Sequence, residues 1–328
     1  VTSLFPRRAM LGALFAAALS SLLPGAARAA DRVTEIRLDY AYYNPVSLVL
    51  KEKGWLEEDL RKDGIAVRWV LSLGSNKALE FLNAGSLDFG STAGAAALIA
   101  RINGNPVKSV YVYSKPEWTA LVTGPNSAIT KVEDLKGKRV AVTRGTDPHI
   151  FLVRTLAQHK LTDKDIKLVL LQHQDGRLAL EKGDVDAWAG LDPLMAQAEI
   201  DNGARLFHRN AAANTWGVLN VREEFATQQP ELVARVLRAY EKARVHALAN
   251  PAELKTTIAA AAKLSEPVAA RQLERTDLSH SAIGAEQADT ILQAGLALQE
   301  SGVLGADVDV KGAVAALIDP SFSKALTQ

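Results

Sequence analysis

The sequence predicts an α/β fold in two lobes, each a sheet flanked by helices, and three observations carry the prediction. Short apolar or β-branched runs alternate with helical stretches across Gly- and Ser-containing turns, from Glu35 to His208. That alternation is the mark of a largely parallel sheet. The pattern restarts near Ala120. The two parts also echo one another: ALEFLNAGSLDF, Ala78 to Phe89, and LALEKGDVDAW, Leu178 to Trp188, each read as a helix, then Gly–x–Leu/Val–Asp, then a short strand.

Taken in order, Glu35 to Tyr40 reads as a strand and Val46 to Lys53 as a helix ending at Gly54. Trp55 to Lys62 is a polar helix, and Ala66 to Leu71 is the second strand. Gly74-Ser75-Asn76 opens a helix from Lys77 to Asn83, and Leu87 to Gly90 is a short strand. Ser91-Thr92-Ala93-Gly94 then opens another helix, before a strand from Val107 to Tyr113. In the second part, Ala120 to Thr123, Arg139 to Thr143, Ile166 to Leu171, Val185 to Gly190 and Arg205 to His208 read as strands, with helices from Ile150 and from Gly176 to Lys182. Val218 to Val221 is strand-like again. From Gln229 onward the chain is Ala-rich and helical, broken at Pro251, Pro267 and Gly284, and is expected to pack on the first lobe.

The stretch KRVAVTRGTDPHIFLVRTL, Lys138 to Leu156, holds the sharpest turn. A strand ends, Gly145 breaks the run, and Asp147-Pro148 is a strong helix start: Asp accepts from free backbone N–H groups, and Pro lacks an N–H to leave unpaired. Such a turn aims N–H groups and the positive end of a helix at one small space, where anions settle. An ordinary strand-to-helix turn is the alternative.

Composition narrows the function classes. The 328 residues suffice for two domains, and 48% hydrophobic with 23% charged residues is a globular balance. A net charge of +1 without a basic block argues against nucleic acid. With no cysteine there is no disulfide, thiol nucleophile, Cys-bound zinc or lipidated Cys anchor. At the N-terminus, Arg7-Arg8 precede an apolar run from Ala9 to Leu23, and Ala27-Arg28-Ala29 gives a small–x–small cleavage pattern. This reads as a secretory signal over residues 1–30, cut near Ala29 or Ala30, of ordinary or twin-arginine type. Export without an anchor points to the periplasm or to secretion.

Catalytic signatures are scarce. Gly90-Ser91-Thr92-Ala93-Gly94 has Thr where a nucleophile elbow has Ser. No phosphate loop or GxGxxG occurs, and the six histidines show no metal spacing, so neither cofactor nor metal is expected. Only His149 lies in a candidate site, as a ligand contact or as a residue of the first helical turn. More telling are small polar residues in turns that follow strands: Tyr43-Asn44, Ser75-Asn76, Ser91-Thr92, Gly145-Thr146-Asp147 and Asp192. Ligands bind at the carboxyl ends of strands in open sheets, so two facing lobes would pool these turns in one cleft. That set suits binding without chemistry.

Three motifs carry a resemblance over nearly the whole chain after the signal: Leu79–x–x–Leu82–x–x–Gly85–x–x–Asp88–x–Gly90, Val132-Glu133-Asp134-Leu135-Lys136-Gly137-Lys138, and Gly183-Asp184-Val185-Asp186-Ala187-Trp188 followed by Asp192-Pro193. The sequence resembles the periplasmic substrate-binding proteins of ABC importers for aliphatic sulfonates, taurine and nitrate. The resemblance implies a two-lobed fold of the type II kind with two crossover hinges, lobe 1 over residues 31–116 and 216–328 and lobe 2 over residues 117–215. It also implies hinge closure on a ligand, delivery to a permease and its ATPase in the inner membrane, and a monomer. Sulfonate-binding members place a Ser-rich turn on the anion where this chain has Gly145-Thr146-Asp147-Pro148-His149. Asp147 as N-cap would occupy the free N–H groups and repel an anion at about 4 Å by a few kcal/mol in a partly buried site. The family's Trp-Asp-Pro reads Leu191-Asp192-Pro193 here, and Trp118 and Trp216 either replace the missing aromatic wall or pack the hinges.

The leading expectation is a receptor for a small organic anion, a sulfonate or related sulfur compound. Thr92, Ser75, Asn76, Thr146 and backbone N–H groups would donate to it, with Tyr43 and Trp118 flanking its body. An aromatic carboxylate, a sulfate ester or a thiamine-precursor pyrimidine stays open, the last through Asp147 and Asp192. A pyrimidine synthase of similar fold needs a cysteine-rich iron site that this chain lacks. A sensor subunit is the remaining alternative.

Overall fold

The computed structural model describes residues 32–324 and 326, so the expected export signal lies outside the described residues. Two sheets organise the chain. The first holds β1 (Glu35–Tyr40), β2 (Ala66–Leu71), β3 (Phe89–Ala93) and β4 (Val107–Pro116). The second holds β5 (Thr119–Thr123), β6 (Arg139–Val142), β7 (Lys167–Leu170), β8 (Ala187–Leu191) and β9 (Arg205–His208). The chain then re-enters the first sheet as β10 (Gly217–Arg222) and β11 (Thr276–Asp277). Strand orders are β11-β4-β10-β3-β1-β2 and β7-β6-β8-β5-β9.

Each sheet has a parallel triplet, β2-β1-β3 and β7-β6-β8, finished by antiparallel strands. Helices cover both faces, which explains why the buried stretches of the second lobe's central strands, VAV of β6 and AWAGL of β8, are apolar instead of alternating. In the second lobe Val140 and Val142 pack with Leu121 and Phe151 on one face, while Ala141 packs with Val122 and Trp188 on the other. The first lobe's core is larger, gathering β1, β3, β4 and β10 with the helices Pro45–Lys53 and Pro230–Ala249.

Three sequence expectations need correction. Ser91 and Thr92 do not open a helix; β3 runs on to Ala93 because β10 pairs antiparallel with it, Val218 opposite Thr92. The helix expected from Gly176 begins at His173, a full turn earlier. The helical tail does not serve the first lobe alone. Its helix Glu266–Leu273 packs on Leu194–Asn202 of the second lobe, and Thr276–Asp277 adds a two-residue strand beside β4.

Candidate functional site

Two parallel strands of each sheet, β1 and β2 in the first and β7 and β8 in the second, end at one cavity of about 350 Å³. The turn after β1 brings Tyr42 and Tyr43, and the turn after β2 brings Ser72 and Leu73. The second lobe supplies Gln172 and His173 after β7 and Leu191 to Leu194 after β8. One further wall, Ala262 to Leu264, comes from the tail. The size lies in the range of small-molecule sites.

The lobes touch around this cavity. Asn76 donates to Gln172 Oε1 at 3.4 Å, and Asn76 also lies against Gly145. Arg275 clamps Asp192 with two hydrogen bonds, 3.0 and 2.9 Å, and reaches Glu199 at 2.6 Å. Burial pushes the Asp192 carboxyl up, and the Arg275 guanidinium pulls it back toward the ionised form. Asp192 therefore lines the cavity with both oxygens already engaged.

Asp147 departs most from the sequence reading. Thr146 holds the N-cap position and Asp147 is the first helical residue. Its carboxylate turns away from the free N–H groups and accepts from Trp118 Nε1 at 2.8 Å, the Thr215 hydroxyl at 2.6 Å and the Thr215 N–H at 3.0 Å. Burial raises its pKa, and the Thr215 and Trp118 bonds pull it back. It ties the second lobe to both crossovers, so the repulsion expected of an N-cap carboxylate does not arise from that position. Thr146 itself donates to Thr143 O at 2.6 Å.

The remaining expected residues divide between a buried hydrogen-bonded cluster of the first lobe and the hinges. Ser91 donates to Asp39 at 2.8 Å and accepts from Asn44 at 2.7 Å, while Tyr43 donates to the Ser91 carbonyl at 2.9 Å. Thr92 accepts from Asn220 at 2.7 Å, and Ser75 accepts from the Ala93 N–H at 3.0 Å. These groups hold one another, and of them only Tyr43 lines the cavity. Trp118 sets its edge on Tyr43, ring centres 5.9 Å apart. Trp216 lies away from the cavity, edge-on to His280 with Lys115 over its ring, which fits hinge packing. His149 is half-buried, with its pKa lowered by burial and by Arg144, and does not line the cavity.

Sequence reasoning passed over His173 and Arg177. They stand one turn apart on one helix face, and both line the cavity. His173 is 2% exposed, neither ring nitrogen has a partner, and burial pushes its pKa down to about 3. Arg177 pairs with Glu181 through a terminal nitrogen while its Nε has no partner. The internal echo held the signal: the offset that carries Asp88 onto Asp186 carries Ser75 onto His173, at the start of the equivalent helix. Among the described residues no group of three or more His, Cys, Asp or Glu is placed to hold a metal.

Residues 46–254 match the family described as NMT1/THI5 like. The chain belongs to that family. A relative from Escherichia coli (strain K12), named as an aliphatic sulfonates-binding protein, is 29% identical over 75% of this chain and 78% of its own. The taurine-binding periplasmic protein of the same organism is 25% identical over 58% of this chain and 60% of its own. Among solved structures, the alkanesulfonate-binding protein SsuA from Xanthomonas axonopodis pv. citri, bound to MOPS, superposes with a TM-score of 0.78 at 26% identity, covering 85% of this chain and 97% of that one. The fold of this NMT1/THI5-like chain is thus that of the periplasmic binding proteins. The desulfurization enzyme DSZB, 15% identical with a TM-score of 0.65, shares the fold alone.

Proposed function

We propose that this protein is a non-catalytic receptor that captures a small organic acid, an aliphatic sulfonate first of all, between its lobes. It works outside the cytoplasm, as a monomer, and passes the ligand to a membrane permease and its ATPase. Lobe 1 is residues 31–116 with 216–328, lobe 2 is residues 117–215, and closure turns on the crossovers between them.

The carrying observation is the interlobe cavity and its charge. Arg177, paired with Glu181, and the exposed Lys263 line it, and among the described residues Lys263 has no ion pair. Its one lining carboxylate, Asp192, is taken by Arg275. With Arg177 and Asp192 each paired, Lys263 is the lining charge left over, and it favours an acid head over a cation. Leu73, Leu191 and Leu264 supply apolar surface for a carbon body. The names of the sulfonate-binding relatives support the same acid head. The pyrimidine alternative leaned on Asp147 and Asp192, and both are engaged by protein donors.

The test is a thermal-shift panel of alkanesulfonates, taurine, aryl sulfonates and sulfates, carboxylates, nitrate and pyrimidines. A ligand at about 100 times its Kd adds about 2.7 kcal/mol of stability. Stabilisation by sulfonates is the expected result. Stabilisation by pyrimidines or cations alone overturns the reading.

A further inference from the structure

This inference concerns the regulation of the proposed site and rests on the reading of the cleft as one that opens and closes between two lobes. His173 heads its helix in the second lobe, and its Nε2 packs at the Gly74 backbone of the first. A Cβ on Gly74 would stand 3.0 Å from that nitrogen, while the Gly74 backbone is extended, as any residue can be. Glycine is therefore suited to the closeness of the lobes and not to a special backbone conformation. Asn76, two residues on, lies against Gly145 and donates to Gln172 at 3.4 Å, both in the second lobe. The facing lobe thus completes the burial of the imidazole, which leaves His173 2% exposed.

Neither ring nitrogen has a protein partner, so nothing offsets the desolvation of an imidazolium there. Burial alone pushes the pKa down to about 3. The elements around the ring offer no counter-ion. On its own helix Arg177 is paired with Glu181 and Asp175 is exposed. From the turn after β8, Asp192 is held by Arg275, and on the facing helix Lys77 is paired with Glu80. Arg144, ahead of Gly145, and Lys263 of the tail are exposed cations. Tyr42 and Tyr43, after β1, are neutral phenols with raised pKa values.

Parting the lobes returns the ring to water, where an imidazole takes its proton near pH 6.5. The open molecule therefore binds that proton more tightly than the closed one. What the neutral ring contributes to closure is fully present above about pH 6.5. It is lost as pH falls, by up to about tenfold in the closure equilibrium per pH unit, until the pKa of the buried ring is reached.

We propose that His173 is a pH-sensitive switch on the cleft: protonation of its imidazole holds the lobes apart, so the receptor closes on its ligand at neutral pH and releases it in acid.

The experiment is titration calorimetry on the full mature chain with propanesulfonate and benzenesulfonate, whose own charge is constant between about pH 5 and about pH 7.5. Wild-type binding is expected to weaken by up to about thirtyfold across that range, and His173→Gln by at least about fivefold less. Asp192 and the other titrating groups are common to both chains, so the difference reads His173. The imidazole resonances of His173 give a second readout, which needs no substitution at that residue. Its pKa should fall when propanesulfonate saturates the wild type, and should rise toward about 6.5 in ligand-free Gly74→Ala, whose methyl would stand against the ring. Wild-type binding that weakens no more than that of His173→Gln overturns the proposal, and so does one His173 pKa shared by the ligand-free, ligand-saturated and Gly74→Ala chains. Absence of binding by either sulfonate at about pH 7.5 counts instead against the sulfonate reading. The switch is then decided on the ligand-free chain by small-angle scattering. Expansion from about pH 7.5 to about pH 5 in the wild type and not in His173→Gln supports it, and equal profiles overturn it.

Discussion

Ahead of β3 in the first lobe, Asp88 accepts from the backbone N–H and the guanidinium of Arg37, whose other terminal nitrogen reaches the Gly85 carbonyl. Ahead of β8 in the second lobe, Asp186 accepts in the same way from Arg139, which reaches Gly183. The staple is one, but its surroundings differ. Asp88 is 1% exposed and takes a second arginine, Arg222, at 2.8 Å, whereas the Asp186 side chain is 32% exposed with Arg139 alone. Deeper along the same strands the lobes diverge further. Leu38 faces Phe89 as Val140 faces Ala187, so Asp39 and Ser91 occupy the places of Ala141 and Ala189. One lobe has a polar floor and the other a dry one. Bulk is exchanged as well: Gly90 lies beneath Ala78 and Leu82, while Trp188 fills the equivalent place above Gly176. A shared staple can therefore hold two interiors with different duties.

The largest effect should come from Asp88→Ala, which leaves Arg37 and Arg222 facing each other without their carboxylate. Breaking such a pair costs about 3 kcal/mol, toward the low end of the range because both arginines can reach water. Urea unfolding measures it, and a loss no greater than that of Asp186→Ala would break the comparison. The polar floor makes the next prediction. Burial pushes the Asp39 carboxyl up to about 6, against the Ser91 N–H and hydroxyl. The folded chain thus holds that proton more tightly than the unfolded one. The resulting stability is present below about pH 4 and lost as pH rises through about 6, on the order of 3 kcal/mol in all. Melting temperatures from about pH 4 to about pH 7 should fall more steeply in the wild type than in Asp39→Asn, with a residual slope from Asp192. Parallel curves would assign the slope elsewhere. Smallest of all, Asp186→Ala should cost no more than about 1 kcal/mol, as exposed pairs do.

The alternation of strands and helices was legible because each element is written in a few neighbouring residues. The placing of turns at strand ends also led toward the cleft, and Tyr43 and Asp192 do line its cavity. Three things were not legible. Asp147 reads as an N-cap locally, but its partners Trp118 and Thr215 lie far away in the chain, and two crossovers must fold before they meet it. The end of β3 is fixed by β10, a strand more than a hundred residues later, so Ser91 and Thr92 looked like a helix start. His173 was missed because Gln172 to Asp175 carry no apolar periodicity, and the helix was begun at Gly176. Only the alignment of one lobe on the other shows where that helix starts.

Arg275 carries a mechanical consequence. Its carbonyl accepts from the Glu117 N–H at the first crossover, the next residue begins β11 in the first sheet, and its guanidinium grips Asp192 and Glu199 of the second lobe. The lobes are thus tethered at three places, through residues 116–119, through 208–217 and through this side chain. Two tethers leave a bend and a twist available. A third, made by a side chain and not by the main chain, opposes both for as long as Arg275 keeps its grip on Asp192 and Glu199.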